Sequence, residues 1–254
     1  MILDKFRLDG KVAIVTGSST GLGQAMSIAL AEAGSDIVGI GYSRSNETTQ
    51  AEIEKRGRRF LSILVDLAQM ESIRRIVEKT VEVFGHIDIL INNAGIIRRE
   101  DALQFTEKDW DEVMDLNAKT VFFFSQAVAR RFIAQGSGGK IINIASMLSF
   151  QGGIRVPSYT ASKSAVMGLT RLLANEWAKY GINVNAIAPG YMATNNTAQL
   201  RADPNRSQEI LGRIPAGRWG MPEDVQGAAV FLASAASDYV NGYTIAVDGG
   251  WLAR

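Results

Sequence analysis

The stretch that decides the fold is residues 11–23, KVAIVTGSSTGLG, in which a short apolar run leads into three closely spaced glycines. The run at residues 11–16 is rich in β-branched side chains, which favour extended backbone, and predicts a strand. A helical pattern follows from about residue 22 to residue 33, and Gly34 is suited to end it. A strand, a glycine-rich turn and a helix in this order predict the first unit of an α/β fold.

The same alternation continues to the end of the chain. Further apolar runs predict strands at residues 36–40, 59–65, 87–91, 140–145, 182–188 and 243–247. Nearly every position in these runs is apolar, as expected for strands that are buried on both faces. We therefore predict an α/β fold, a Rossmann-like doubly wound parallel sheet of about seven strands with helices on both faces. No linker rich in Pro, Gly or Ser divides the chain, so residues 1–254 are predicted to form a single domain.

Two of the predicted helices lie at residues 71–84 and 109–135, where apolar residues recur at helical spacing. Thr106 precedes the second helix and has Asp109 three residues later. This pair predicts a capping box with Asp in place of the usual Glu.

The composition excludes several classes of protein. The 254 residues include no Cys and a single His, His86, so we expect no disulfide, no cysteine nucleophile and no metal site. A net charge of +1 argues against a nucleic-acid or anionic-membrane surface. No apolar run approaches the roughly 18 residues of a membrane span, and residues 1–11 do not resemble a signal segment. A soluble cytoplasmic protein is expected.

The glycine-rich turn predicts a nucleotide site. Gly17 would permit a tight turn, Gly21 would let backbone amides approach a pyrophosphate, and Gly23 would allow close packing of helix on strand. The N-terminus of the helix would face the anion. A plain loop can have the same composition, but the position between the first strand and the first helix favours a nucleotide.

Nucleotide preference is expected at the end of the second strand. An acidic residue there would bind the ribose 2′-OH of NAD, whereas a cation would bind the 2′-phosphate of NADP. The position is Gly41 and Arg44 follows it, so both cofactors stay open. Asp66, at the end of the third strand, is a candidate acceptor for the adenine amino group. The alternative is that it caps the next helix, and both roles could hold together.

Tyr159 and Lys163 are a candidate pair for proton transfer. They lie four residues apart and would share one face of a helix after Ser146. A phenol ionises near pH ~10, and lowering its pKa by about three units requires roughly 4 kcal/mol. A cation at about 4 Å, with an effective dielectric constant of about 20, supplies that much. The spacing therefore predicts that Lys163 lowers the pKa of Tyr159, although an exposed tyrosine beside a solvated lysine would have the same spacing.

Several motifs accompany this pair. After the glycines come, in order, Asn92-Asn93-Ala94-Gly95, Asn117, Ser146, Tyr159, Lys163 and Pro189-Gly190. With this set, the whole chain resembles the short-chain dehydrogenase/reductase family. The resemblance implies an enzyme that interconverts a carbonyl and a hydroxyl group, with NAD as the cofactor and NADP as the alternative. It also implies a homotetramer.

The resemblance assigns roles to individual residues. Tyr159 would exchange a proton with the substrate oxygen, Ser146 would hydrogen-bond that oxygen, and Lys163 would hold the nicotinamide ribose. Asn117 would anchor a water-mediated proton path to Lys163. The cofactor is expected to contact Gly17, Ser19, Gly21, Leu22, Gly23, Arg44, Asp66, Leu67, Asn93, Ala94, Gly95, Tyr159, Lys163, Pro189, Gly190, Met192 and Thr194.

Three segments near the expected site indicate the kind of substrate. Residues 96–101 follow the fourth strand, residues 149–157 join Ser146 to Tyr159, and residues 191–219 form a long segment suited to a lid. Their arginines favour a small, hydrophilic, anionic substrate such as a sugar acid over a steroid or a fatty chain. The candidate substrate ligands are Arg99, Gln151 and Arg155.

Two alternatives stay open. A reductase of carrier-protein-bound ketones, or a gluconate dehydrogenase, would keep the chemistry and change the substrate, and Arg98 and Arg99 would suit a carrier-docking patch. A non-catalytic redox sensor on the same scaffold is expected to lack part of the proton relay, but all four of its residues are present: Asn117, Ser146, Tyr159 and Lys163.

Overall fold

Strands from the whole length of the chain form one parallel sheet in the computed structural model, which describes residues 1–254. The strands are β1 (Val12–Thr16), β2 (Asp36–Gly41), β3 (Phe60–Leu64), β4 (Ile89–Asn92), β5 (Gly139–Ile144), β6 (Ile182–Pro189) and β7 (Thr244–Val247). Their order across the sheet is β3-β2-β1-β4-β5-β6-β7, and all neighbours are parallel. The predicted fold class is confirmed, and each strand was predicted to within one or two residues.

Nine α-helices connect and cover the strands: α1 (Gly21–Glu32), α2 (Glu47–Glu54), α3 (Met70–Phe84), α4 (Glu107–Met114), α5 (Thr120–Gln135), α6 (Pro157–Trp177), α7 (Ala198–Ala202), α8 (Pro204–Arg213) and α9 (Gln226–Ala233). One face of the sheet packs against α1, α2 and α9, and the other against α3, α5 and α6. None of these helices combines the length and the apolar character needed to cross a membrane.

β1 shows why the strands are apolar at every position. Val12 and Ile14 pack into the cluster that contains α3 and α5, whereas Ala13 and Val15 pack into the cluster that contains α1 and α9. Successive side chains of a strand point to opposite faces, so a strand covered on both faces requires a continuous apolar run.

The prediction of one continuous helix over residues 109–135 is wrong. α4 ends at Met114, a π turn follows (Asp115–Lys119), and α5 begins at Thr120. A π turn contains one residue more than a turn of α-helix, and the apolar spacing on either side hardly changes, so periodicity alone does not reveal it. The helix start was predicted correctly, because the Thr106 hydroxyl accepts a hydrogen bond from the backbone N–H of Asp109 at 3.1 Å.

The direction of the chain across the sheet reverses between β1 and β4. From β1 the chain proceeds to β2 and β3 at one edge, and then returns to β4 on the other side of β1. The loops that leave the carboxyl ends of β1 and β4 therefore diverge, and a crevice opens between them. Ligands of doubly wound sheets bind at such a point.

Candidate active site

The carboxyl ends of β1 and β4 are tied together by Thr16 and Asn93. The Thr16 hydroxyl accepts hydrogen bonds from the backbone N–H groups of Asn93 and Ala94, at 2.9 and 2.8 Å. The side-chain amide of Asn93 donates to the Thr16 carbonyl at 2.8 Å. These bonds fix the two loops on either side of the crevice.

The glycine-rich turn has no room for a side chain at Gly17 or Gly23. Gly17 has a φ of +67°, and a Cβ there would lie 2.9 Å from the side-chain nitrogen of Asn93. A Cβ on Gly23 would lie 2.1 Å from the carbonyl oxygen of Gly17, so only glycine lets α1 pack this closely on the turn. Gly21 is the first residue of α1. The turn thus presents backbone amides and the positive end of a helix, a cradle that fits a pyrophosphate.

The end of β2 is closed to an acidic side chain. A Cβ on Gly41 would lie 2.7 Å from Leu64 Cδ2 and 2.9 Å from the carbonyl oxygen of Arg44. The buried Asn46 supports the turn by accepting a hydrogen bond from the Ser19 hydroxyl at 2.7 Å. The exposed guanidinium of Arg44 forms no ion pair. This corner therefore has a free cation and no carboxylate at position 41.

Asp66 and Leu67 follow β3 at the next corner. The alternative in which Asp66 caps the following helix is wrong, because α3 begins at Met70 and the Asp66 carboxylate instead accepts from the backbone N–H of Ala68 at 2.9 Å. Leu67 is buried, and its carbonyl accepts a hydrogen bond from the Thr120 hydroxyl at 2.9 Å. The π turn and the β3 loop are thereby joined.

Ser146, Tyr159 and Lys163 border one cleft. Ser146 follows β5, and α6 begins with Pro157, a position at which proline costs no helical hydrogen bond. The Ser149 hydroxyl donates to the Lys163 carbonyl at 2.6 Å and accepts from the backbone N–H of Ser146 at 3.3 Å. The loop after β5 is thus fixed to the first turns of α6.

Burial dominates the electrostatics of Tyr159 and Lys163. It lowers the pKa of Lys163 to about 8, and Lys163 Nζ donates to the Ile144 carbonyl at 2.6 Å. Burial also raises the pKa of Tyr159, against smaller lowering effects of the Ser146 hydroxyl and the Arg99 guanidinium. The net shift of the Tyr159 pKa is therefore opposite to the predicted lowering. The ammonium bonds a backbone carbonyl and lies 5.7 Å from the centroid of the phenol ring.

Asn117 lies in the π turn and is completely buried. Its side-chain amide accepts from the backbone N–H of Ile96 and donates to the Ile96 carbonyl, both at 2.9 Å. A Cβ on Gly95 would lie 3.1 Å from Asn117 Oδ1 and 3.8 Å from Lys163 Nζ, so both side chains reach the β4 loop at the same residue. π turns frequently occur at functional sites, and this one places Asn117 next to Lys163.

The cleft has a volume of about 320 Å³. Among the predicted residues, its lining includes Gly17, Gly21, Leu22, Asn93, Ala94, Gly95, Ser146, Tyr159, Lys163, Pro189, Gly190, Met192 and Thr194. Others lie outside the lining, namely Ser19, Gly23, Arg44, Asp66, Leu67, Asn117, Arg99, Gln151 and Arg155. Sequence reasoning missed Thr20, Ile144 and Ala145, whereas Asn195, Asn196 and Thr197 lie in the predicted lid segment, residues 191–219. The position of Ile144 and Ala145 at the carboxyl end of a predicted strand was the available signal, because ligands bind at that edge.

Arg155 is occupied by two carboxylates. Its guanidinium lies 3.2 Å from Glu100 and 3.4 Å from Asp101, and its carbonyl accepts from the backbone N–H of Glu100 at 3.0 Å. Arg155 is also the one residue other than glycine with a positive φ, +61°. These contacts join the loops after β4 and β5 and disfavour Arg155 as a substrate ligand.

Arg99 and Gln151 are the other two candidate substrate ligands. Arg99 has no carboxylate partner and donates to the carbonyl of Asn196, a residue of the lining, at 3.0 Å. Gln151 accepts from Arg213 at 3.4 Å, and Arg213 lies 4.1 Å over the Trp251 ring. Of the three candidate substrate ligands, Arg99 is the one with a free positive charge beside the cleft.

The comparison with known protein families agrees with this geometry. The family described as enoyl-(acyl carrier protein) reductase matches residues 17–252. The chain belongs to the short-chain dehydrogenase/reductase family, as its motifs predicted, and it is an oxidoreductase that uses NAD(P).

Individual relatives are more specific. The chain is 71% identical, over the full length of both chains, to 2-dehydro-3-deoxy-D-gluconate 5-dehydrogenase of Dickeya dadantii and to the protein of the same name from Escherichia coli strain K12. Residues 97–103, 145–163, 185–197 and 236–254 by themselves predict a similarity to this protein, and the full-length identity confirms it. Gluconate 5-dehydrogenase of Gluconobacter oxydans is 42% identical, over 97% of this chain and 96% of the relative.

Two solved structures are similar over almost their whole length. A putative 2-deoxy-D-gluconate 3-dehydrogenase from Agrobacterium tumefaciens, with bound NADP, is 56% identical with a TM-score of 0.92, and the match covers 98% of this chain and 99% of that one. A gluconate 5-dehydrogenase from Burkholderia cenocepacia, in complex with NADP and tartrate, is 42% identical with a TM-score of 0.94, and covers 100% of both chains.

The site fits the nicotinamide cofactor of this family. The turn at Gly17 and Gly21 would hold the pyrophosphate, and the cleft beside Tyr159 and Lys163 would hold the nicotinamide half. When bound, the nicotinamide supplies or accepts the hydride, and the protein provides position and electrostatics.

Proposed function

We propose that this enzyme interconverts 2-keto-3-deoxygluconate and its 2,5-diketo form during the breakdown of hexuronates such as those of pectin. The observation that carries the proposal is the 71% identity, over the full length of both chains, to dehydrogenases named for this substrate. A free arginine beside the cleft supports a substrate with a carboxylate.

Tyr159 carries the proton in the proposed mechanism. During reduction its phenol donates to the carbonyl oxygen of the substrate, and during oxidation its phenolate removes the proton of the hydroxyl group. The Ser146 hydroxyl borders the same cleft, bonds the same oxygen and stabilises the charge that develops there. Because burial raises the pKa of Tyr159, the phenol is the resting form and oxidation should become faster with rising pH.

Lys163 and Asn117 complete the proposed relay. Lys163 binds the nicotinamide ribose from its buried position, and its lowered pKa, about 8, lets it exchange a proton near neutral pH. A water molecule held near Asn117 would connect Lys163 to solvent. The proximity of both side chains to Gly95 supports this path.

We further propose that NADP is preferred over NAD. Gly41 leaves no space for the acidic residue that binds the 2′-OH of NAD, and Arg44 is an unpaired cation at the same corner. Arg44→Ala should raise the KM for NADP about tenfold or more and leave the KM for NAD unchanged, because only NADP has the 2′-phosphate. Equal KM changes for both cofactors would contradict the assignment.

The proposed reaction is tested by initial rates of the purified enzyme with 2-keto-3-deoxygluconate, with NAD and NADP supplied separately. Rapid turnover supports the proposal. A gluconate 5-dehydrogenase is the second candidate, because a relative and a solved structure with that name are each 42% identical. Turnover of D-gluconate alone would establish it, and turnover of a carrier-protein-bound ketone alone would establish the carrier-protein alternative.

We also propose a homotetramer in the cytoplasm. α4 and α5 leave Trp110 and Phe123 about 40% exposed, which a neighbouring subunit would cover. Analytical ultracentrifugation should give four times the mass of the chain, and cell fractionation should place the enzyme in the cytoplasm. A monomer at micromolar concentration would contradict the assembly.

A further inference from the structure

The arginines of residues 96–101, 155 and 191–219 fall into two groups. Four of them are already paired with carboxylates: Arg98 with Glu112 at 2.8 Å, Arg155 with Glu100 at 3.2 Å, Arg206 with Glu209 at 2.7 Å, and Arg218 with Asp224 at 2.6 Å. Three have no carboxylate partner, namely Arg99, Arg201 and Arg213. Arg213 stacks on Trp251, which leaves two arginines with uncompensated charge and no aromatic partner.

The two remaining arginines approach the same short segment from different elements. Arg99, in the loop after β4, donates to the Asn196 carbonyl at 3.0 Å, and Arg201, in α7, donates to the Thr194 carbonyl at 3.1 Å. Residues 194–197 all line the cleft that contains Tyr159. Each guanidinium has five N–H donors and uses one of them here, so most of the donors remain free.

We propose that Arg99 and Arg201 together bind the carboxylate of the sugar-acid substrate at the mouth of the cleft. The inference rests on the proposed function and names the residues that select an acid. A carboxylate between the two groups would accept charge-assisted hydrogen bonds from both. The influence of Arg99 on the pKa of Tyr159 supports its proximity to the reacting end of the substrate.

The test compares 2-keto-3-deoxygluconate with its methyl ester, which keeps the reacting carbon and lacks the charge. Arg99→Ala and Arg201→Ala should each raise the KM for the acid about 10- to 100-fold, the loss expected for a hydrogen bond to a charged group. The KM for the ester and the kcat for both compounds should change little. Arg99→Lys should raise the KM for the acid less than Arg99→Ala does, because lysine keeps the positive charge but lacks the planar guanidinium group.

Arg206→Ala is the matched control. It removes an arginine from the same part of the chain, but one whose charge is already compensated by Glu209. Its KM for the acid should equal that of the wild type. Thermal unfolding of every variant checks that the fold is retained.

The outcomes separate the two hypotheses. If the wild type prefers the acid to the ester and the Arg99 and Arg201 variants keep that preference, the carboxylate site is elsewhere and only this inference fails. If the wild type turns over the acid and the ester with the same KM, there is no carboxylate site and only this inference fails, whereas the proposed function fails if the wild type does not turn over 2-keto-3-deoxygluconate at all. If the wild type turns over D-gluconate and not 2-keto-3-deoxygluconate, the same comparison with gluconate and its methyl ester decides the role of the two arginines.

Discussion

Two groups of residues at the cleft differ in how deeply they are buried. We call Asn117, Ser146, Tyr159 and Lys163 the floor, and the arginines of residues 96–101, 155 and 191–219 the rim. In the floor, Asn117, Ser146 and Lys163 are each at most 7% exposed, and backbone or side-chain partners hold their polar atoms. In the rim, the guanidinium groups of Arg155 and Arg218 are more than half exposed even though they are paired.

Because of this difference in burial, we assign the chemistry to the floor and the selection of the substrate to the rim. Burial shifts the pKa values of the floor, which gives Tyr159 and Lys163 properties that they lack in water. Solvent screens the rim, so its charges contribute little to stability, and those of Arg99 and Arg201 remain available to a ligand. Substitutions in the floor should therefore act mainly on kcat, and substitutions of the two unpaired rim arginines, Arg99 and Arg201, mainly on KM.

The strongest test of this division is Tyr159→Phe. It removes the proton carrier and keeps the ring, so kcat should fall by about 10³-fold, within the range known for general acid–base groups. Fluorescence titration with NADPH should show almost unchanged cofactor affinity. A kcat close to that of the wild type would show that Tyr159 does not carry the proton. It would also contradict the assignment of the chemistry to the floor.

Lys163→Met should lower kcat by about 100-fold and at the same time stabilise the protein near neutral pH. Burial lowers the pKa of Lys163 from 10.5 to about 8, so below pH 8 the folded protein holds a buried charge that costs up to ~3 kcal/mol. The lost bond to the Ile144 carbonyl offsets part of this, which leaves a gain of about 1–2 kcal/mol.

The pH dependence of that gain is its control. As the pH rises from 8 to 10.5, folded Lys163 is already neutral while the unfolded chain is still protonated, so wild-type stability rises over this window. The advantage of the Met variant should therefore shrink across it, as measured by denaturant unfolding at several pH values. A constant difference from pH 7 to pH 10.5 would mean that the ammonium is well solvated.

Arg155→Ala tests a rim residue that we assign to loop geometry. It removes the contacts to Glu100 and Asp101 and leaves alanine in a left-handed conformation. We expect a loss of activity of less than about tenfold, equal for the acid and its methyl ester, because the loops move and no substrate contact is lost. Glycine tolerates the same φ, so Arg155→Gly should recover part of the lost activity. A KM increase for the acid and not for the methyl ester would instead show that Arg155 binds the substrate.

The smallest expected effect is that of Asp224→Asn. The Arg218 guanidinium, together with the Met221 backbone amide, lowers the pKa of Asp224 from 3.8 to about 2. The carboxylate therefore contributes stability above pH 3.8, and this contribution is lost as the pH falls through 2. Arg218 is 57% exposed, so the variant should lose less than about 1 kcal/mol at pH 7 and nothing below pH 2, as measured by denaturant unfolding.

The strands and the floor residues were accessible to sequence reasoning because both depend on local spacing. Continuous apolar runs gave the strands, and the i, i+4 spacing of Tyr159 and Lys163 placed them on one face of α6. The ion pair of Arg155 was not accessible, since Arg155 and Glu100 are 55 positions apart and only the folded chain joins them. The pKa of Tyr159 was misjudged for the same reason, because the direction of the Lys163 ammonium depends on the Ile144 carbonyl.

The number of residues in the π turn at Asp115–Lys119 matters more for the fold than which side chains these residues carry. Each residue advances an α-helix by about 100°. Deleting a single residue from the turn would restore a regular helix and rotate all of α5 by that angle. Phe124 and Phe132, now completely buried, would leave the core and face a different neighbour. We therefore expect single-residue insertions and deletions to be excluded here during the divergence of related enzymes, even at positions that accept many different side chains.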